Sequence, residues 1–139
     1  MTKTIDMSDM RHLNLFEKIT HVRTRFCFDY NNMIVFCVSK FSLRESLGNN
    51  NENLNKIGSI LKKKIRILAI PKSIDDAQIF IEKIIAPATF KDIKITDEEI
   101  IVNAGGVQNK ANLFGRGKIR YLQMKKIIRD FFDREYKIA

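Results

Sequence analysis

Apolar residues along this chain follow two rhythms, one helical and one alternating, and the rhythms change at polar or glycine-containing breaks. Met10, Leu13, Phe16 and Ile19 recur at helical spacing, with Ser8 placed to cap the helix. Thr24, Phe26 and Phe28 then alternate with Arg23, Arg25 and Cys27, which predicts a strand over 22–30. A second strand over 33–39 follows the turn pair Asn31-Asn32. A short helix over 41–47 reaches Gly48-Asn49-Asn50-Asn51. Leu54, Ile57, Ile60 and Leu61 mark the next helix, and a strand over 64–70 ends at Pro71.

The same order then recurs. Ser73, with Asp76 three residues on, predicts a capped helix whose apolar stripe is Ala77, Phe80, Ile81, Ile84 and Ile85, stopped by Pro87. Strands over 89–95 and 99–104 flank the acidic turn Thr96-Asp97-Glu98. A helix over 107–114 meets Gly115-Arg116-Gly117-Lys118. The longest helix carries Tyr121, Met124, Ile127, Ile128 and Phe131, and a strand over 135–138 closes the chain.

Placing Gly48 on Gly115, an offset of 67 residues, aligns Leu54 with Tyr121, Ile57 with Met124, Ile60 with Ile127 and Leu61 with Ile128. Before the glycines, Leu47 falls on Phe114 and Ile34-Val35 on Ile101-Val102. The pattern predicts an α+β fold of two tandem αββααβ modules, 1–72 and 73–139. Units of this size bury little apolar surface alone. They are therefore expected to pack together, with the 73–86 helix joining them.

Composition narrows the partner. Of 139 residues, 45% are hydrophobic and 29% charged, a globular balance. The 25 Lys and Arg against 16 Asp and Glu give a net charge of +9, which suits a phosphate-bearing partner. No apolar run approaches the roughly 20 residues needed to span a bilayer. No signal peptide is visible either, so a cytoplasmic protein without membrane contact is expected. Cys27 and Cys37 lack the C-x-x-C spacing of a zinc or redox site. If Asn31-Asn32 is a tight turn, Cys27 lies opposite Phe36 and Cys37 opposite Phe26, on different faces of the hairpin. Two buried, reduced thiols are the expectation, with neither metal nor cofactor.

A strand, a helix, a glycine turn, a helix and a further strand form the layout of KH modules, whose G-x-x-G turn clamps about four single-stranded nucleotides. Glycine admits positive φ and close approach of a phosphate, and the following helix directs unpaired N–H groups at it. The first turn has asparagine where the second glycine belongs, a residue that tolerates the left-handed region. The second turn moves that glycine one place early and ends in lysine. No Asp or Glu occurs over 53–74, which holds Lys56, Lys62, Lys63, Lys64, Arg66 and Lys72. None occurs over 100–129, which holds Lys110, Arg116, Lys118, Arg120, Lys125, Lys126 and Arg129. The candidate RNA-binding residues are Gly48, Asn49, Asn50, Asn51 and Lys56 in the first module. In the second they are Lys110, Gly115, Arg116, Gly117, Lys118, Arg120 and Lys125.

No catalytic constellation assembles. His12 and His21 flank a helix, no serine has a G-x-S-x-G setting, and Asp97-Glu98-Glu99 reads as a hairpin turn. A binding protein, not an enzyme, is expected. Phe16, Phe26, Phe28, Phe36, Phe80 and Phe131 fall at core spacing and offer no stacking platform.

Two segments carry a family resemblance. Leu13-Asn14-Leu15-Phe16-Glu17-Lys18-Ile19-Thr20, followed by Val22-Arg23 and Cys27, resembles the opening of archaeal NusA-like proteins. Phe80-Ile81-Glu82-Lys83-Ile84-Ile85-Ala86-Pro87-Ala88 is similar to that family's inter-module segment. The resemblance implies tandem type II KH domains in a transcription factor that binds single-stranded nascent RNA and influences elongation and termination. RNA polymerase or termination factors would be its protein partners. A ribosome-associated or ribosome-assembly role is the alternative, since KH modules and basic surfaces also serve there.

Overall fold

The computed structural model describes residues 7–139, with side chains from Asp9 onward. Its elements run α1 (Met7–Thr20), β1 (Phe26–Tyr30), β2 (Met33–Val38), α2 (Leu43–Leu47), α3 (Glu52–Leu61) and β3 (Lys64–Ala69). They continue as α4 (Ala77–Ile85), β4 (Asp92–Ile95), β5 (Glu99–Asn103), α5 (Val107–Phe114), α6 (Ile119–Phe132) and β6 (Glu135–Ile138). The fold is α+β, and the αββααβ order occurs twice, in two compact units that divide between Ile70 and Pro71.

Each unit holds a three-stranded mixed sheet, ordered β1-β2-β3 in one and β4-β5-β6 in the other. The first two strands pair antiparallel and the third joins the second in parallel. In the first sheet Tyr30 faces Met33, Cys27 faces Phe36 and Phe26 faces Cys37, as the Asn-Asn turn requires. Asn31 and Asn32 both take positive φ (48° and 60°), a backbone that asparagine tolerates better than most residues. Both cysteines are buried and unbridged.

The first core gathers Phe16, Val22, Cys27, Ile34, Phe36, Val38, Ile57, Ile65 and Ile67, with Leu54 and Leu61 against its edge. The Phe16 and Phe36 rings stack at 4.6 Å. In the second unit the whole predicted stripe of α4 is buried, and Phe80 meets Phe131 and Phe132 of α6 at 5.0 and 6.0 Å between ring centres.

Several expectations need correction. The predicted strand over 22–30 begins only at Phe26, because the Thr24 hydroxyl donates to the Cys37 carbonyl and accepts from the Phe26 N–H. The strand over 89–95 begins only at Asp92; Lys91 N still donates to the Asn103 carbonyl at 2.7 Å, and before it the Asn109 side chain donates to the carbonyls of Thr89 and Ala104. The capping box at Ser73 is displaced. Ser73 accepts from Asp75 N at 3.2 Å, and Asp76 accepts from Lys72 N at 2.8 Å instead of from Ser73. Ser8 lies inside α1, and its side chain falls outside the described residues. At 14 residues, α6 equals α1 in length.

The single offset of 67 also fails at both ends. Ile34 belongs to the first core, whereas Ile101 is half-buried and the fully buried residues of β5 are Ile100 and Val102, an offset of 66 from Ile34 and Phe36. Beyond the glycine turns, Ile57 and Met124 are both fully buried, but Ile60 is exposed while Ile127 is buried. The left-handed residues that end α3 and α6, Lys62 and Asp133, stand 71 residues apart, so α6 carries about one extra helical turn.

Candidate nucleic-acid interface

Both glycine turns follow one backbone path. Gly48 and Gly115 have φ/ψ of 77°/176° and 74°/171°, a combination nearly reserved for glycine. Two positions on, Asn50 (54°, 36°) and Gly117 (63°, 21°) are left-handed, as are Asn51 (59°, 30°) and Lys118 (62°, 21°). The third and fourth places of each turn are thus both left-handed. The early glycine in the second turn occupies one such place and Lys118 the other, while the first turn fills both with asparagine.

The hydrogen bonds repeat as well. Gly48 N donates to Arg44 O at 3.1 Å and Gly115 N to Ala111 O at 3.0 Å; Asn51 N donates to Gly48 O at 3.3 Å and Lys118 N to Gly115 O at 3.1 Å. A side chain straps each turn from above. Asn53 Nδ2 donates to Glu45 O at 3.2 Å, and Arg120 Nη1 donates to Asn112 O at 3.0 Å. These two pairs are related by the 67-residue offset, which the sequence pattern of buried positions had no means of showing.

The turns lead into α3 and α6, whose N-caps, Asn51 and Lys118, make no side-chain cap hydrogen bond. The first N–H of each helix, from Glu52 and Ile119, donates back to the Asn49 and Arg116 carbonyls; an anion is a suitable partner for the N–H groups that follow in the opening turn. Asn49, Asn50, Asn51, Arg116, Gly117 and Lys118 are exposed, as are Lys56 on α3 and Lys110 on α5. Lys118 also lies over the Phe114 ring, its Nζ 5.9 Å from the centre.

The candidate cations do not all stand alike. Lys125 sits further along α6, 3.6 Å from Glu135, and over the Tyr121 ring. Arg129 pairs with Asp133 at 3.2 Å and with Glu135 at 2.7 Å. Hydrogen bonding to Arg129, and then the charge of Lys125, hold the Glu135 carboxyl below its usual range. Among the described residues, Lys56, Lys110, Arg116 and Lys118 make no salt bridge. Arg120 is half-buried and committed to the strap, a shaping role rather than that of a freely offered cation. Two large apolar side chains that the periodicity did not single out are exposed, Phe41 and Val107, 87% and 89% accessible; Phe41 lies two residues ahead of α2 and Val107 is the first residue of α5.

No protein-family model and no curated protein matches the chain. Among solved structures, the crystal structure of the archaeal protein APE1850 is similar, with a TM-score of 0.63, 18% identity, and coverage of 97% of this chain and 100% of that one. At that identity the likeness concerns the fold.

Proposed function

We propose that the chain is a non-enzymatic, cytoplasmic RNA-binding protein of the archaeal NusA-like type, two KH-type modules that hold single-stranded nascent RNA and influence transcription elongation and termination. The observation that carries the reading is the repeated turn. Two glycine-led turns of one backbone path each deliver a helix N-terminus without a side-chain cap; α3 opens on Glu52 before its acid-free stretch, whereas the second turn and the first turn of α6 hold no acidic residue. A phosphodiester supplies what the second turn lacks, a negative charge beside its cations and its helix N-terminus.

The modules differ in what they offer. The second turn adds Arg116 and Lys118, exposed and outside any salt bridge among the described residues. The first offers neutral asparagines, which hydrogen-bond to phosphate or base and exert no long-range attraction. The second module is therefore the principal phosphate site.

Fluorescence anisotropy with single-stranded and duplex RNA at several salt concentrations tests this. Single strands should bind more tightly, with a log–log salt slope of about −0.7 per phosphate neutralised. Arg116→Ala with Lys118→Ala should weaken binding more than Asn49→Ala with Asn50→Ala, and flatten the slope by roughly 1.4. Equal affinity for duplex, or a more damaging asparagine pair, overturns that assignment. Co-purification from cells separates RNA polymerase or termination factors, expected here, from ribosomal subunits, which would point to the ribosome-associated alternative.

A further inference from the structure

Away from the glycine turns, α1 and β1 bring together three side chains of a different chemistry. Asp9 and His12 stand three residues apart on α1, a spacing that places both on one face of a helix. Cys27, on β1, is buried beneath that face in the first core. One carboxylate oxygen, one imidazole nitrogen and the thiol sulfur all lie within 4.8 Å of one another, and the Cys27 sulfur is 3.6 Å from Asp9 Oδ1.

The geometry points to a binding site for a thiophilic divalent transition metal, of which zinc is the type, held by Asp9, His12 and Cys27 with water as fourth ligand. Bonds of about 2.0–2.3 Å in a tetrahedral shell put neighbouring ligand atoms roughly 3.3–3.8 Å apart. The sulfur–carboxylate pair already has that separation, and the half-buried His12 offers a ring nitrogen within 4.8 Å of both atoms. Thiolate and imidazole together select zinc-like ions over magnesium or calcium, which prefer all-oxygen shells. Three protein ligands and one open position form the less closed kind of zinc site, and the ion would clip α1 to β1 across the first core. The spacing of the two cysteines hides this site, because only one of them takes part and its partners come from a helix 15–18 residues earlier in the chain.

The test is anaerobic titration of the reduced, chelator-stripped full chain with Co²⁺. One equivalent should produce a near-ultraviolet sulfur-to-cobalt charge-transfer band with intense visible bands of tetrahedral cobalt, both erased by one equivalent of Zn²⁺. Cys27→Ser should abolish the charge-transfer band, and Cys37→Ser should keep it, because Cys37 lies on the other face of the hairpin. Should Cys27→Ser fail to fold, His12→Ala carries the decision. It should weaken Co²⁺ binding by more than roughly 100-fold, the upper end of what losing an outer-shell partner costs, whereas His21→Ala leaves it unchanged. Absence of the band in the parent protein at large excess of Co²⁺, or unchanged affinity in His12→Ala, overturns the proposal. The contact between Cys27 and Asp9 is then a thiol hydrogen bond and nothing more.

Discussion

Adding a single methyl group at Gly115 perturbs the second turn at its most demanding point. Backbone at φ 74° and ψ 171° costs a residue with a Cβ about 1–3 kcal/mol. The new Cβ would also lie 2.7 Å from Arg120 Cγ and 3.0 Å from Cδ. Clearing that contact means moving the arginine, and its hydrogen bond to the Asn112 carbonyl is worth about 0.5–1.5 kcal/mol, more for a charged donor. The two effects together come to roughly 2–4 kcal/mol. Gly117 is the internal control. Its φ of 63° is left-handed but no atom lies within 4 Å of an added Cβ, so Gly117→Ala should cost only about 1–2 kcal/mol.

Urea unfolding of the full chain, followed by circular dichroism, measures both costs as shifts in midpoint at constant m. A double-mutant cycle with Arg120→Ala separates strain from collision. Arg120→Ala removes Cγ and Cδ, so in the double variant the closest contacts are gone, a 3.1 Å approach to the retained Cβ is left, and the backbone strain remains. The costs should be sub-additive by about 1 kcal/mol. Strict additivity, or a Gly115→Ala variant no less stable than Gly117→Ala, would refute the reasoning and leave the strap without a role in shaping the turn.

Two further outcomes follow from charge. Because the Glu135 carboxyl is held below its usual range by Arg129 and Lys125, its contribution to stability is present above the unfolded carboxyl value and is lost as pH falls through the lower folded value. The deficit in melting temperature of Glu135→Gln relative to the parent should thus be largest at neutral pH and vanish in acid, and a deficit that grows in acid would contradict the sign. Lys118→Gly should stabilise the chain by up to about 1 kcal/mol by relieving its left-handed backbone, yet weaken RNA binding and lower the salt slope; tighter binding in urea-matched anisotropy assays would show that the lysine obstructs the phosphate.

What the sequence made legible was whatever depends on local periodicity. The α4 stripe, the register set by Asn31-Asn32 and the bounds of α5 each follow from side-chain pattern over a few residues, and each is found as expected. The entries of β1 and β4 were not legible, because a threonine hydroxyl and the Asn109 amide, remote or out of pattern, hydrogen-bond to backbone carbonyls there. The repeat was legible at the turns and blurred elsewhere. One residue is gained between β5 and the second turn relative to the first unit, and about a turn of helix is gained in α6, so a single offset cannot align all the buried positions. Within the candidate site, the glycines and cations stood out by composition. The equivalence of Asn53 and Arg120 did not, since two unlike side chains reach the same carbonyl position by different lengths of stem.

The distribution of charge along α6 bears on why the second turn is built as it is. A helix is stabilised by acidic groups at its N-terminus and basic groups at its C-terminus, each worth about 0.3–1 kcal/mol. Here the first turn of α6 has no acidic residue and follows Arg116 and Lys118, while the far end places Asp133 and Glu135 around Arg129 and Lys125. Lys125 and Arg129 are therefore locally compensated, and, Lys126 apart, the positive charge without a salt bridge sits at the end where the helix dipole is already positive. Lys118 adds a left-handed backbone to that repulsion. Three separate costs converge on one turn: cations against the dipole, leading N–H groups without a side-chain cap, and a lysine in a conformation better suited to glycine. An anion seated on the turn offsets the first two directly, and the lysine is the residue that would reach it. A turn serving only to connect two helices would be more stable with an acidic cap and a glycine at position 118, so the departure from that arrangement supports the reading that this turn is kept for a phosphate.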